Sequence, residues 1–111
     1  MAGLPGWEVE ERFPCGLEYR EGGRVLEFDC ERAGGPGVSI IIYYAPADTW
    51  WKPPHRDAPL TAAQQQPILV RVTASLILLG ITPVWEAVPP ESDRADWPVI
   101  RAEAQAFLRR A

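Results

Sequence analysis

Apolar and polar residues alternate on both sides of Gly22-Gly23. The flanks are Leu17-Glu18-Tyr19-Arg20-Glu21 and Arg24-Val25-Leu26-Glu27-Phe28-Asp29-Cys30. Period-two alternation around a two-glycine turn predicts a β-hairpin. Such a turn also sets the register. Tyr19 then faces Leu26 and Leu17 faces Phe28 on the buried side, while Glu18 faces Glu27 and Gly16 faces Asp29 on the other. Ala33-Gly34-Gly35-Pro36-Gly37 reads as a loop. The run from Val38 to Ala45 is apolar on both faces, which predicts a third strand that is central or covered by helices.

Thr61-Ala62-Ala63-Gln64 has the pattern of a helix capping box. Ile68, Val72, Leu76 and Leu79 follow at helical spacing, and Gly80 is a natural stop. Pro67 conflicts with a helix begun at Thr61. Either the helix kinks there or it begins near Gln66. Thr82 to Val88 predicts a short strand, and Pro83 places it at a sheet edge. Asp96 can cap a last helix from Trp97 to Arg110, whose inner stripe would be Ile100, Ala104, Phe107 and Leu108. The order is β-β-β-α-β-α, an α+β fold with helices packed on one face of an antiparallel sheet. A chain of 111 residues fits a single domain, 1–111, able to bury a core without metal or disulfide staples.

Charge sharpens this picture. Residues 1–32 hold eight acids and four bases, and the remainder of the chain is balanced, so the whole formal charge of −4 lies in the first third. An acidic domain is a poor nucleic-acid binder, because counterion release needs clustered Lys and Arg. It suits a basic protein partner. The N-terminus has no basic segment followed by an apolar run, so no signal peptide is expected. The longest apolar stretch, Ile68 to Ile81, is interrupted by Arg71 and falls short of the ~20 residues that span a bilayer. A cytoplasmic protein with no membrane association is expected.

Several residues could carry function. Glu18, Glu27 and Asp29 share the outer hairpin face with Glu31, and like charges directly opposite on a sheet are destabilising, so this is either a solvated face softened by Arg20 and Arg24 or an acidic patch for a basic partner. Trp50-Trp51-Lys52-Pro53-Pro54-His55 forms a stiff aromatic loop holding the only histidine. Strand-like alternation sends one tryptophan inward and the other outward, where it could anchor a partner. His55 as a general base would need a partner group and a pocket. Cys15 and Cys30 would lie opposite if the hairpin register reached them, as two reduced thiols or as a disulfide. Two cysteines and one histidine do not make a zinc site, so no metal or cofactor is expected. No phosphate-cradling glycine loop, Gly-x-Ser-x-Gly elbow or His-x-x-x-His pair is present.

The hairpin from Glu18 to Phe28, with Trp51-Lys52-Pro53-Pro54-His55, Leu60-Thr61 and the helix ending at Gly80, resembles small bacterial proteins, many of them uncharacterised and some grouped as immunity proteins of polymorphic toxin systems. The resemblance covers roughly residues 17–81. It implies a cytoplasmic protein that binds and neutralises a cognate toxin by occlusion, without catalytic residues. The expected partner-contacting residues are Glu18, Glu27, Asp29, Trp50, Trp51 and His55. The alternatives are a small enzyme or ligand-binding domain using His55 with Asp57 or a cysteine, and a homodimeric assembly protein.

Overall fold

A computed structural model describes residues 6–12, 16–33, 39–44, 51–54, 60–88 and 96–110. The order is β1 (Trp7–Arg12), β2 (Gly16–Glu21), β3 (Arg24–Ala33), β4 (Ser39–Tyr44), α1 (Ala62–Leu78), β5 (Thr82–Ala87) and α2 (Trp97–Arg110). The strands form one sheet in the order β1-β2-β3-β4-β5.

The class is α+β, as expected, but the sheet is mixed. β1 to β4 pair antiparallel, and β5 lies parallel to β4. The reason is topological. The chain leaves β4, passes through α1 and re-enters the sheet beside β4. A helical crossover returns the chain to the end where the first strand began, so the second strand runs the same way. The expected order also lacked β1. Its Trp7-Glu8-Val9-Glu10 alternation is a strand pattern, masked by three glutamates in a residue type depleted from strands.

The hairpin register is the expected one, with Tyr19 opposite Leu26, Leu17 opposite Phe28, Glu18 opposite Glu27 and Gly16 opposite Asp29. Gly22 and Gly23 have φ of 57° and 79°. Positive φ at both central residues is what a type I′ hairpin turn requires. Alternation therefore sends Leu17, Tyr19, Leu26 and Phe28 inward, to join Trp7, Val9, Ile40, Ile42 and Tyr44 in one core layer.

Helix α1 begins at Ala62. Thr61 Oγ1 accepts from the Gln64 N–H at 3.2 Å, and Gln64 Oε1 accepts from the Thr61 N–H at 2.9 Å. Pro67 therefore lies inside the helix, neither ending it nor marking its start. Ile68, Val72 and Leu76 are buried, whereas Leu79 is 63% exposed. Leu79 is the C-cap, beyond the regular helix. Gly80, at φ 79°, donates to Ile77 O and Ile81 donates to Leu76 O, each at 2.9 Å. This pair is the Schellman closure that glycine permits. Helix α2 buries Ile100 and Ala104 and packs Phe107 and Leu108 against the core. Both helices contribute to the one core layer, so among the described residues no helix lies on the outer sheet face.

Two opposite stability changes follow for α1. Thr61→Ala should lower stability by about 1 kcal/mol, and Thr61→Ser should not. Pro67→Ala supplies an N–H for the Ala63 carbonyl. It should raise stability by about 1–2 kcal/mol, less than helix propensities alone suggest, because proline also restricts the unfolded chain. Urea melts measure both. A Pro67→Ala variant no more stable than its parent would mean that the proline costs the folded helix nothing.

Candidate functional site

The outer face of the sheet is the feature that the sequence singled out. Its residues form cross-strand rows. Glu8, Arg20 and Val25 make one row. Glu10, Glu18 and Glu27 make the next, three glutamates side by side on three strands. Beyond them, Asp29 stands opposite Tyr43, and Tyr43 opposite Glu86. Glu31 stands opposite Ile41, and Ile41 opposite Val84. The face is acidic over β1 to β3 and gains aromatic and aliphatic area over β4 and β5, where Glu86 is an acid beside Tyr43.

Like charges in register repel, and Arg20 and Lys52 are among the cations that answer that repulsion. The Arg20 guanidinium bonds to Glu8, to Glu10 at 2.5 Å and to Glu18. The carboxylates of Glu10 and Glu8, then that of Glu18, raise the Arg20 pKa still further above its ordinary value. Glu18 is buried beneath this cluster. On the other flank, Lys52 Nζ bonds to Glu27 Oε1 at 2.8 Å. Asp29 and Glu31 remain exposed. Tyr43 donates its hydroxyl to Glu31 Oε2 at 2.7 Å, and that carboxylate pushes the Tyr43 pKa up to about 12.

Lys52 reaches this face because of how residues 51–54 lie. Pairing between β3 and β4 ends at Asp29 and Tyr43, so the earlier part of β3 has no partner from β4. The Lys52 N–H fills part of that gap, donating to Val25 O at 2.8 Å. Strand-like alternation at this contact sends Lys52 outward to Glu27 and Trp51 inward. Trp51 is 8% exposed and stacks on Tyr19, with ring centroids 6.3 Å apart and planes 29° from parallel. Trp51 is thus a core side chain, buried as alternation allows for one of the two tryptophans, and it offers a partner little surface. Its burial follows from the β3 edge, which the local sequence does not reveal. Trp50, His55, Asp57 and Cys15 lie outside the described residues. Cys30 is half-buried against the core.

The inner side fixes the acidic hairpin to the helices. Tyr19 is fully buried, and Trp7 stacks on its ring at 6.3 Å. Its hydroxyl donates to Glu21 Oε1 at 2.8 Å and accepts from Arg71 Nη1, on α1, at 2.6 Å. Arg71 also bonds to Glu21 at 3.2 Å and lies 5.5 Å from the centroid of Trp7. In the sequence, Arg71 is only an interruption of an apolar run. Its role becomes visible only when α1 is laid across the hairpin.

Among the described residues, no group of three or more His, Cys, Asp or Glu side chains is placed to hold a metal ion. No helix among them is long and apolar enough to cross a membrane. What the face can do is bind. It offers carboxylates held at fixed spacings beside the half-buried Ile41 and Tyr43 and the exposed Val84. Comparison with family models, with curated proteins and with solved structures yields no match.

The Tyr19 network predicts an alkaline weakness. Burial pushes the Tyr19 pKa up to about 12, against about 10 in an unfolded chain. The native state holds this proton more tightly, so the contribution is complete below pH 10 and is lost as pH rises through 12. Tyr19→Phe should flatten the fall in urea midpoint across that window, while lowering stability at neutral pH through the lost hydroxyl contacts. A fall equally steep in the variant would assign the weakness to other groups.

Proposed function

We propose that this protein is a binding domain of the bacterial cytoplasm that docks a basic protein partner on its outer sheet face. Its most specific form is an immunity-type inhibitor that neutralises a cognate toxin by occlusion, without catalysis of its own. The observation that supports this reading most is the composition of the sheet face opposite the two helices. It carries Glu8, Glu10, Glu18, Glu27, Asp29, Glu31 and Glu86, and the cations bonded to them include Arg20 and Lys52.

Aligned glutamates on neighbouring strands weaken a sheet, so without a use they are a cost. A basic partner would turn that cost into attraction and would be steered to the face before contact. Ile41, Tyr43 and Val84 supply the apolar and aromatic area that interfaces need beside their charges. The acids differ in what they offer. Glu18 and Glu27 are engaged by Arg20 and Lys52, whereas Asp29 is exposed beside the apolar rows.

The test is co-expression with toxin-like proteins encoded beside this chain, scoring growth rescue and complex formation. A purified complex then allows the face to be probed. Asp29→Lys should slow association severalfold at low salt and reduce its salt dependence. Unfolding should change by no more than about 0.5 kcal/mol, as is usual for an exposed site. Equal association rates for Asp29→Lys and the parent at low salt would remove the outer face from the interface.

A further inference from the structure

The sheet ends at β5, and its outer edge is built differently from the acidic edge. The Val88 N–H donates to Tyr44 O at 2.8 Å. Tyr44 is in register with Ala87. In a parallel ladder, the residues on either side of a register partner make the bonds. Main-chain groups of Thr82, Val84, Glu86 and Val88 therefore turn toward β4, and those of Pro83, Trp85 and Ala87 turn to the open edge. This explains Pro83, whose missing N–H falls on the unpaired side. It also leaves an N–H and a carbonyl at both Trp85 and Ala87 for a further strand. Among the described residues, no strand lies beyond β5.

A pocket of about 110 Å³ opens beside this edge. Trp85 and Trp97 form one wall, stacked within 5° of parallel with centroids 5.4 Å apart. Pro83, Val84, Ile100 and Arg101 line the rest with Thr73. Val84 belongs to the outer face, yet it touches the pocket, which places the opening at the strand edge rather than beneath the sheet. The Thr73 hydroxyl is engaged, donating to Leu69 O at 2.7 Å and accepting from Trp85 Nε1 at 3.0 Å. Arg101 is exposed and makes no ion pair among the described residues. The pocket holds one apolar side chain, since a cavity of ~150 Å³ takes a benzene. It is well below the ~300 Å³ at which small-molecule sites begin.

We infer that the β5 edge is a strand-addition site for an extended segment of a partner chain, distinct from the acidic face. Main-chain bonds to Trp85 and Ala87 hold the segment. One aliphatic side chain enters the pocket against Trp85 and Trp97, and an acidic residue two positions along the segment, on the same face, pairs with Arg101. Main-chain pairing for affinity and a side-chain pocket for specificity are the usual division of labour in such sites. A second copy of this chain fits less well. In a β5–β5 pairing, the inward side chains offered to the pocket would be Pro83, Trp85 and Ala87, which already line it or belong to the core.

The probe is a capped octapeptide of alternating threonine and valine, with a central leucine and a glutamate at the Arg101 position, added to the whole protein. Amide hydrogen exchange at Trp85 and Ala87 should slow in its presence, and Trp97 indole signals should shift. Leucine to alanine in the peptide should weaken binding by more than about tenfold. N-methylation of its edge-facing amides should abolish binding. Arg101→Glu, an exposed change, should weaken binding about two- to fivefold and favour a lysine-bearing peptide instead. Unaltered exchange at Trp85 and Ala87 with millimolar peptide overturns the site. So does undiminished binding of the N-methylated peptide, which would make the pocket alone the binder. Protection of the same amides without peptide, rising with protein concentration alongside a dimer in sedimentation, would assign the edge to a second copy.

Discussion

Tyr19 holds the two layers of this protein together. Its ring is fully buried between Trp7 and Trp51, and its hydroxyl is held by Arg71 from the helix and Glu21 from its own strand. A buried phenol without partners would be costly, as would a half-buried guanidinium. Each satisfies the other, and Glu21 balances the charge. The same contacts decide where α1 lies across the hairpin and where residue 51 enters the core. Much of the outer face follows from this, because the strand that carries Tyr19 inward carries Glu18 and Arg20 outward.

Both helices pack on the inner face. A five-stranded sheet covered on one side has an apolar face and a second face that must find another use. Here that second face is graded. The antiparallel strands bear aligned carboxylates clamped by Arg20 and Lys52, and the crossover end bears Tyr43, Ile41 and Val84. The gradient has a structural origin. β1 to β3 come from the acidic first third of the chain, whereas β4 and β5 flank α1 and share its apolar composition. Charge and apolar area therefore adjoin, with Glu86 beside Tyr43 as an acid on the apolar side, and interfaces commonly set polar and apolar area side by side.

Parts of the site were legible in the residues. The acidic hairpin face could be read from alternation and the two-glycine turn, with Glu18 opposite Glu27. That one tryptophan turns inward could also be read. Which carboxylates are engaged could not. Lys52 meets Glu27 across 25 positions of sequence, and Arg20 meets Glu8 and Glu10 on a strand whose pattern was hidden by its own glutamates. Arg71, an apparent flaw in an apolar helix, belongs to the aromatic core. The open edge of β5 was foreshadowed by Pro83, but its pocket needs Trp97 from the last helix.

Local chemistry sufficed wherever partners are close along the chain. The hairpin register, the Thr61 capping box, the Gly80 stop and the inner stripe of α2 all depend on spacings of two to four residues. Steric preference and main-chain hydrogen bonding act over that range. Tertiary structure alone decided what depends on packing between distant segments. It set β5 parallel to β4, because α1 carries the chain back to the starting end. It kept α1 helical through Pro67, because burial from Ile68 to Leu76 outweighs one missing bond. It sent Trp51 to the core, because β3 outruns β4 and leaves an edge that residues 51–52 can occupy.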